Sequence, residues 1–296
     1  ARAVAWLTLL VAVGWGQVRV AAAPYDWVDG VMLRLVQANI QQHHKWDPAL
    51  QMAGLQEHVL LSQSEGMEHV THIIWPETAM PFVLREASTM SVRLAQILQP
   101  GQYLITGSLR AQTAARDSPL YNSMVMLDDA GHITGYYDKH KLVPFGEFLP
   151  LRRFIPAGWS TPVGDRDFSA GPGKNTLSWP GLPPVAPLIC YEVIFPQLAA
   201  EATPRPAWLL SLTNDAWFGH STGPYQHLAM ARMRAVEQGV PMVRAANTGI
   251  SAIYDGYGRE IARINLGQKA VFDSKLPKSN QSDTIYARLS GRSFLD

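Results

Sequence analysis

Residues 3–18 (AVAWLTLLVAVGWGQV) form an uncharged, largely apolar run between Arg2 and Arg19. As a helix, sixteen residues reach about 24 Å, short of the roughly 30 Å hydrocarbon core of a bilayer. Three readings stay open at this point. The segment is a signal peptide with small residues at 21–23, a buried core helix, or the end of a transmembrane helix that begins upstream. Pro24 closes it, and a globular pattern begins near Val31.

From there short apolar runs alternate with stretches of helical spacing. Strands are expected over residues 32–40, 72–75, 103–107, 187–190, 208–212, 242–246, 251–254 and 261–264, each bounded by Gly, Pro or polar clusters. Residues 122–127 and 132–137 flank a four-residue turn at 128–131 and predict a hairpin. Helices are expected over 55–63, 90–98 and 226–238, the last stopped by Gly239. This alternation predicts an α/β domain with layered sheets over residues 24–274, after a separate segment 1–23 and before a polar tail 275–296. Residues 145–174 fit neither period. They are rich in Pro, Gly and aromatics, and so long a loop inside a compact domain tends to be functional, which marks it as a candidate lid.

Composition narrows the function. Lys plus Arg number 25 against 24 Asp plus Glu, too balanced for a protein that tracks nucleic acid. Only 17% of residues are charged, below the usual quarter, and nine are Trp, which points to an apolar partner. The single cysteine, Cys190, excludes a disulfide framework within the chain. The histidines lack zinc-type spacing: His43 and His44 are adjacent, and His140 and His227 are isolated, so no metal or other cofactor is expected.

Cys190 ends the apolar run PPVAPLIC and precedes Tyr191 and Glu192. It is either a small buried hydrophobe or, at the end of a core strand, a nucleophile presented on a rigid element. A nucleophilic thiol needs a base and a positive or hydrogen-bonding neighbour. Glu77 in IIWPETAMP and Lys139, Lys141 and Glu147 in YYDKHKLVPFGEFLP also follow apolar runs, although any one of them alone reads equally well as a solvated surface charge.

Taken together, the order Glu, Lys, Cys with intervals of 62 and 51 residues resembles the carbon-nitrogen hydrolase (nitrilase) superfamily. The blocks WPETAMP, YDKHKLVPFGEFLP, LICYEVIFP, LTNDAWFGHSTGPYQH and RAVEQGVPMVRAANTGISA resemble, within it, the apolipoprotein N-acyltransferase family over about residues 30–270. The resemblance implies a four-layer αββα sandwich with Cys190 as nucleophile, Glu77 as general base and acid, and Lys139 as third member. Lys139 is preferred to Lys141 by the family spacing to the Glu of PFGE, and Lys141 stands where relatives often carry His. Glu147, Glu192 and Tyr191 are implied as supporting residues, with Glu147 and Glu192 holding Lys139. Trp217, Phe218, Phe148 and Phe154 are expected to contact substrate, with Leu149, Leu151, Arg152, Arg153, Ile155 and Trp159 forming the rest of a membrane-directed loop. The implied reaction moves an acyl chain from a phospholipid to the N-terminal amine of a diacylglyceryl-cysteine apolipoprotein through a Cys190 thioester. It further implies a bacterial inner membrane protein with its catalytic domain on the periplasmic side, residues 3–18 ending a transmembrane helix. The alternative is an amidase or nitrilase acting on a small amide or nitrile.

Overall fold

Strand alternation sorts side chains onto two faces, and in the computed structural model both faces of two sheets are covered. The structure describes residues 2–45, 47–85, 88–113, 115, 118–154, 161, 166–173, 175–200, 202, 204–219 and 221–290. The larger sheet contains β1 (Trp27–Gln37), β2 (His72–Ile74), β3 (Met80–Val83), β4 (Tyr103–Ala111), β5 (Leu120–Leu127), β6 (Ile133–Asp138) and β12 (Ala270–Pro277). Its order is β12-β1-β2-β4-β5-β6, with β3 beside β4. The smaller has β7 (Val185–Ile189), β8 (Trp208–Thr213), β9 (Met242–Ala246), β10 (Ser251–Tyr254) and β11 (Glu260–Ile264), in the order β11-β10-β9-β8-β7.

Leu33, Leu35, Ile105, Met124 and Met126 face Val185, Ile189, Leu210, Leu212 and Val243 in the core between the sheets. The alternate positions Val36, Leu104, Val125 and Leu127 point outward, where α3 (Pro48–Ser62) and α4 (Thr89–Ala95) supply Leu55 and Leu94. On the far side, Ala186, Leu188 and Leu209 pack under α5 (Pro196–Ala200) and α6 (Gly223–Gln238) through Leu198, Leu228, Ala231 and Ala235. The result is the αββα sandwich, each sheet buried on both faces.

Several boundaries differ from the sequence expectation. The first helix, α1, spans Arg2–Ala22, 21 residues. Arg19 lies within it, and its length is about 31 Å, enough to cross a bilayer core. None of its residues is buried. At its base Arg259 donates to the main-chain oxygens of Ala23 and Pro24 at 2.7 and 2.8 Å, pairs with Asp255 at 2.6 Å and lies 4.0 Å from the Tyr25 ring centre. β1 starts at Trp27, earlier than expected, and ends at Gln37. α3 starts at Pro48, because Asp47 caps it by accepting from Ala49 N–H and Pro48 is suited to the first turn. β12 carries the chain past the expected domain end at residue 274: Lys275 and Pro277 pair with Met32 and Trp27, and Leu276 is fully buried. The residues beyond include a further short helix, α7 (Ile285–Ser290). Arg34, buried in β1, fastens this edge. It forms a bidentate pair with Asp273 of β12 at 2.8 and 2.7 Å and donates to the main-chain oxygens of Ser62, Ser64 and Glu65 after α3.

The break between β2 and β3 is what positions Glu77. Both strands run parallel to β4, β2 beside Tyr103–Ile105 and β3 beside Ser108 and Leu109. Between them the chain lifts off: Trp75 N–H still donates to Ile105 O, Gly107 N–H donates to Pro76 O, and Thr78 adopts a left-handed φ of 45°. Gly107 lies directly beneath. A β-carbon there would stand 2.6 Å from both Glu77 Cα and Pro76 O and would also meet Thr78 N. Gly107→Ala is therefore expected to destabilise the fold by about 1–3 kcal/mol, as overpacking does, and to displace Glu77. Thermal unfolding checks this, and an unchanged melting temperature would contradict the close approach.

Candidate active site

Three strand ends meet at the seam between the sheets. Cys190 follows β7, at the start of a 3-10 turn, Cys190–Ile194, and has a left-handed φ of 50°. Such a conformation is strained for a residue with a β-carbon and persists where its surroundings over-determine it. Ile189 before it is held in the ladder to β8, and its N–H donates to Glu192 Oε2 at 2.7 Å. Lys139 directly follows β6, and its N–H continues the pairing to Asn122 O of β5 at 2.9 Å. Lys139 is buried and Lys141 exposed, so the structure separates the two lysines.

Lys139 Nζ donates to Glu147 Oε1 at 2.8 Å and lies 3.6 Å from Glu77 Oε1. Asn122, buried on β5, spans the two carboxylates, its Nδ2 reaching Glu77 Oε1 at 2.8 Å and Glu147 Oε1 at 2.9 Å. Val143 N–H donates to Glu147 Oε2 at 2.9 Å. Burial alone would push the Lys139 ammonium down, but Glu147 and Glu77 outweigh it and hold its pKa above the ordinary lysine value.

Glu192 has a different place from the one expected. Fully buried, it makes no direct contact with Lys139; Oε1 accepts from Tyr137 OH and from the N–H groups of His140 and Lys141 at 2.9, 2.7 and 3.0 Å, while Oε2 takes Ile189 N–H. It thus ties the backbone after Lys139 to the backbone before Cys190. Burial raises its pKa, opposed by the N–H groups of Ile189 and Lys141.

Behind the cysteine lies a second buried group. His227 Nε2 is 3.1 Å from Cys190 O, its Nδ1 is 2.8 Å from Asp215 Oδ1, and Arg244 pairs with Asp215 Oδ2 at 2.7 Å. Burial pushes Asp215 up, but Arg244 and His227 hold it below the ordinary carboxylate value. The cysteine goes the other way. Burial and then the Glu77 charge push the thiol up to about 12, against the opposing pull of Lys139.

Glu77, Asn122, Lys139, Glu147, Cys190, Tyr191 and His227 all line one cavity of about 570 Å³. Its outer wall is apolar, with Phe145, Ile194, Trp217, Phe218 and Met230, and Phe145, Trp217 and Phe218 are exposed at the mouth. Trp217 and Phe218, expected to contact substrate, both line this cavity. Phe148 does not line the cavity: its carbonyl accepts from Phe145 N–H, and that turn sends Phe145 to the cavity instead. Phe154 does not line it either. It lies exposed in the turn Arg152–Phe154, with the Arg153 guanidinium over its ring. Leu149 is buried and Leu151 exposed, while Ile155 and Trp159 lie outside the described residues. Asn122 and His227 escape a reading of the sequence because one is a polar position inside a strand and the other an isolated histidine on a helix.

A family model described as carbon-nitrogen hydrolase matches residues 32–284. The chain belongs to this family. Solved structures support the fold: a Saccharomyces cerevisiae member of branch 10 of the nitrilase superfamily has a TM-score of 0.63 at 18% identity, covering 83% of this chain and 90% of that one. An amidase variant from Nesterenkonia sp. AN1, with the acetamide moiety of fluoroacetamide on its active-site cysteine, gives 0.61 at 18% identity, covering 89% and 95%. Among curated relatives, the apolipoprotein N-acyltransferase of Bradyrhizobium diazoefficiens is 44% identical over 97% of this chain and 57% of its own length. That of Agrobacterium fabrum is 40% identical over 96% and 55%. The chain thus spans little more than half the length of these relatives.

The electrostatics here imply that Cys190 rests as a neutral thiol. Since Cys190 is the chain's one cysteine, thiolate absorbance taken as the difference from Cys190→Ala reports on it alone. The difference is expected to stay flat through the ordinary thiol range near 9, because the folded site holds the proton beyond it. Glu77→Gln is expected to move ionisation to lower pH, since it removes a charge that opposes the thiolate. A native midpoint at the ordinary value would contradict this picture.

Proposed function

We propose that the chain carries the catalytic domain of an apolipoprotein N-acyltransferase, which moves an acyl chain from a phospholipid to the α-amine of a diacylglyceryl-cysteine apolipoprotein. The observation that carries the reading is the lone thiol beside a buried carboxylate and ammonium, in a cavity whose outer wall and mouth are apolar. The names of relatives at 40–44% identity support it.

In the first step Glu77 takes the Cys190 proton as sulfur attacks the ester carbonyl carbon. Lys139 and a backbone N–H beside Cys190 stabilise the oxyanion, worth roughly 3–4 kcal/mol per donor. The intermediate collapses by breaking the C–O bond. Glu77 returns its proton to the departing alkoxide, leaving an acyl thioester on Cys190 and a lysophospholipid. In the second step the acceptor amine attacks the thioester carbonyl, Glu77 takes the amine proton, and the C–S bond breaks. The thiolate regains that proton from Glu77, and the product is an amide. A thiol protonated at rest suits this sequence, because the base acts only when a carbonyl is in place.

Glu147 holds Lys139 charged and aimed, and Glu192 does so indirectly through the backbone on either side of the two residues. Tyr191, Trp217, Phe218 and Phe145 flank the acyl chain, whose tail needs an apolar path to sulfur. α1 spans the bacterial inner membrane and leaves the sandwich on the periplasmic side, where the acceptor's diacylglyceryl group is also anchored.

Incubation of the chain in detergent micelles with a phospholipid of defined acyl composition is expected to add one acyl mass to Cys190 and release an equal amount of lysophospholipid. A peptide with an N-terminal diacylglyceryl-cysteine should then discharge the thioester and return as its N-acyl form. Lys139→Met is expected to slow thioester formation by about 100- to 1,000-fold, and Cys190→Ala to abolish it. Turnover of short amides with no capture from phospholipid would assign the amidase reaction instead.

A further inference from the structure

Two lysines are buried close to Glu77, and they have opposite surroundings. Lys139 lies between two carboxylates. Lys45, the last residue of the short helix α2 (Gln42–Lys45), is also enclosed, and among the described residues no carboxylate lies within ion-pair distance of it. Its Nζ donates instead to the main-chain oxygen of Glu77 at 2.7 Å. That oxygen needs a donor: the chain has left β4 at this point, Thr78 is left-handed, and a buried carbonyl without a partner is costly. A neutral amide would meet that need. An ammonium is a costly choice in a site without an ion partner, so its charge calls for a separate explanation.

We infer that Lys45 is a positioning residue for Glu77, and that the proton on its Nζ is part of the working site. With the proton, a charge-assisted bond pins the loop carrying the base. Without it the bond weakens and the base is less firmly held. The inference rests on the reading of Glu77 as the base of an acyl transfer.

The groups facing Lys45 set when this happens. Burial brings it down to about 8, against the charge of Glu77. From α3, His58 faces it, itself brought down to about 4 by burial and therefore neutral above that. Thr78 and Asn247 line the same small pocket and do not titrate. Lys139 keeps its proton, since its two carboxylates raise it, and Cys190 ionises only far above this range. Between neutral pH and about 10, Lys45 is thus the cation beside Glu77 that changes charge.

The test follows acyl capture by Cys190 from a p-nitrophenyl ester, read as nitrophenolate release and as acyl mass on the intact chain. The native rate is expected to fall as pH rises through about 8. Lys45→Gln keeps a neutral donor; it is expected to be slower by roughly tenfold at neutral pH and flat through that window. Lys45→Arg keeps the charge and should retain its rate to higher pH. A descending limb shared by all three proteins, or absent from the native one, overturns the inference. Independently of any acyl chemistry, the Lys45 Cε resonance, identified by its loss in Lys45→Arg, should titrate near 8. A midpoint above about 10, the ordinary lysine range, also overturns it. If the resonance titrates near 8 but no acyl group is captured, the charge state assigned to Lys45 is supported and the acyl-transfer reading fails. Melting temperatures of both variants separate a lost fold from a lost position.

Discussion

Lys139 is an ammonium taken out of water and placed 2.8 Å from one carboxylate and 3.6 Å from another. Removing an ion from water costs several kcal/mol even after relaxation, and only close partners with further hydrogen bonds offset it. Two carboxylates against one ammonium leave an excess negative charge, which the Asn122 amide and Val143 N–H help to bind. Such a cluster has few acceptable geometries, because loss of one partner strands a charge in the interior. Much of the surrounding backbone is explained by that demand. The β2–β3 break, the missing β-carbon at Gly107 and the backbone bonds of Glu192 all serve to bring residues from distant parts of the chain within hydrogen-bonding range of each other.

The opposite arrangement holds for Cys190. Burial and the Glu77 charge keep its proton on, against the opposing pull of Lys139. Its backbone is the strained part, with a left-handed φ fixed by the β7 ladder on one side and by His227 against its carbonyl on the other. The site therefore separates two tasks: ion pairing sets the orientation of the Glu77 carboxylate and the Lys139 ammonium, and main-chain strain sets the orientation of sulfur.

How much of this is legible in the sequence depends on whether a residue interrupts a pattern. Glu77, Lys139 and Cys190 each end an apolar run, so their positions stand out from the order of residues alone. The central strands stand out for the same reason; β9 and β10 coincide with their apolar runs. Edge elements do not. In β12 the residues AVFDSKLP are partly exposed and mix charge with apolar positions, and in β1 half-buried Trp27 and Val28 are followed by exposed Asp29 and Gly30, so neither shows a clean period. Asn122 resembles any outward-facing polar residue of a strand; its inward role comes from the two glutamates that meet it from other segments. Lys45 lies in the polar run QQHHKW, where nothing local distinguishes a buried ammonium from a solvated one. The loop aromatics fail as a guide for a related reason. Without a period, sequence gives no parity, and the turn that exchanges Phe148 for Phe145 is set by hydrogen bonds around Glu147.

The base of α1 is fastened to both sheets. The chain runs from it through Pro24 directly into β1 of the larger sheet, while Arg259, at the turn before β11 of the smaller, grips the main-chain oxygens of Ala23 and Pro24. The helix is therefore a bracket across the sandwich, and it cannot swing with one sheet without dragging on the other. Glu77 and Lys139 belong to the larger sheet and Cys190 to the smaller, so the gap between carboxylate and sulfur lies along the same seam. A sideways load on the helix would therefore be shared by the two sheets that meet there.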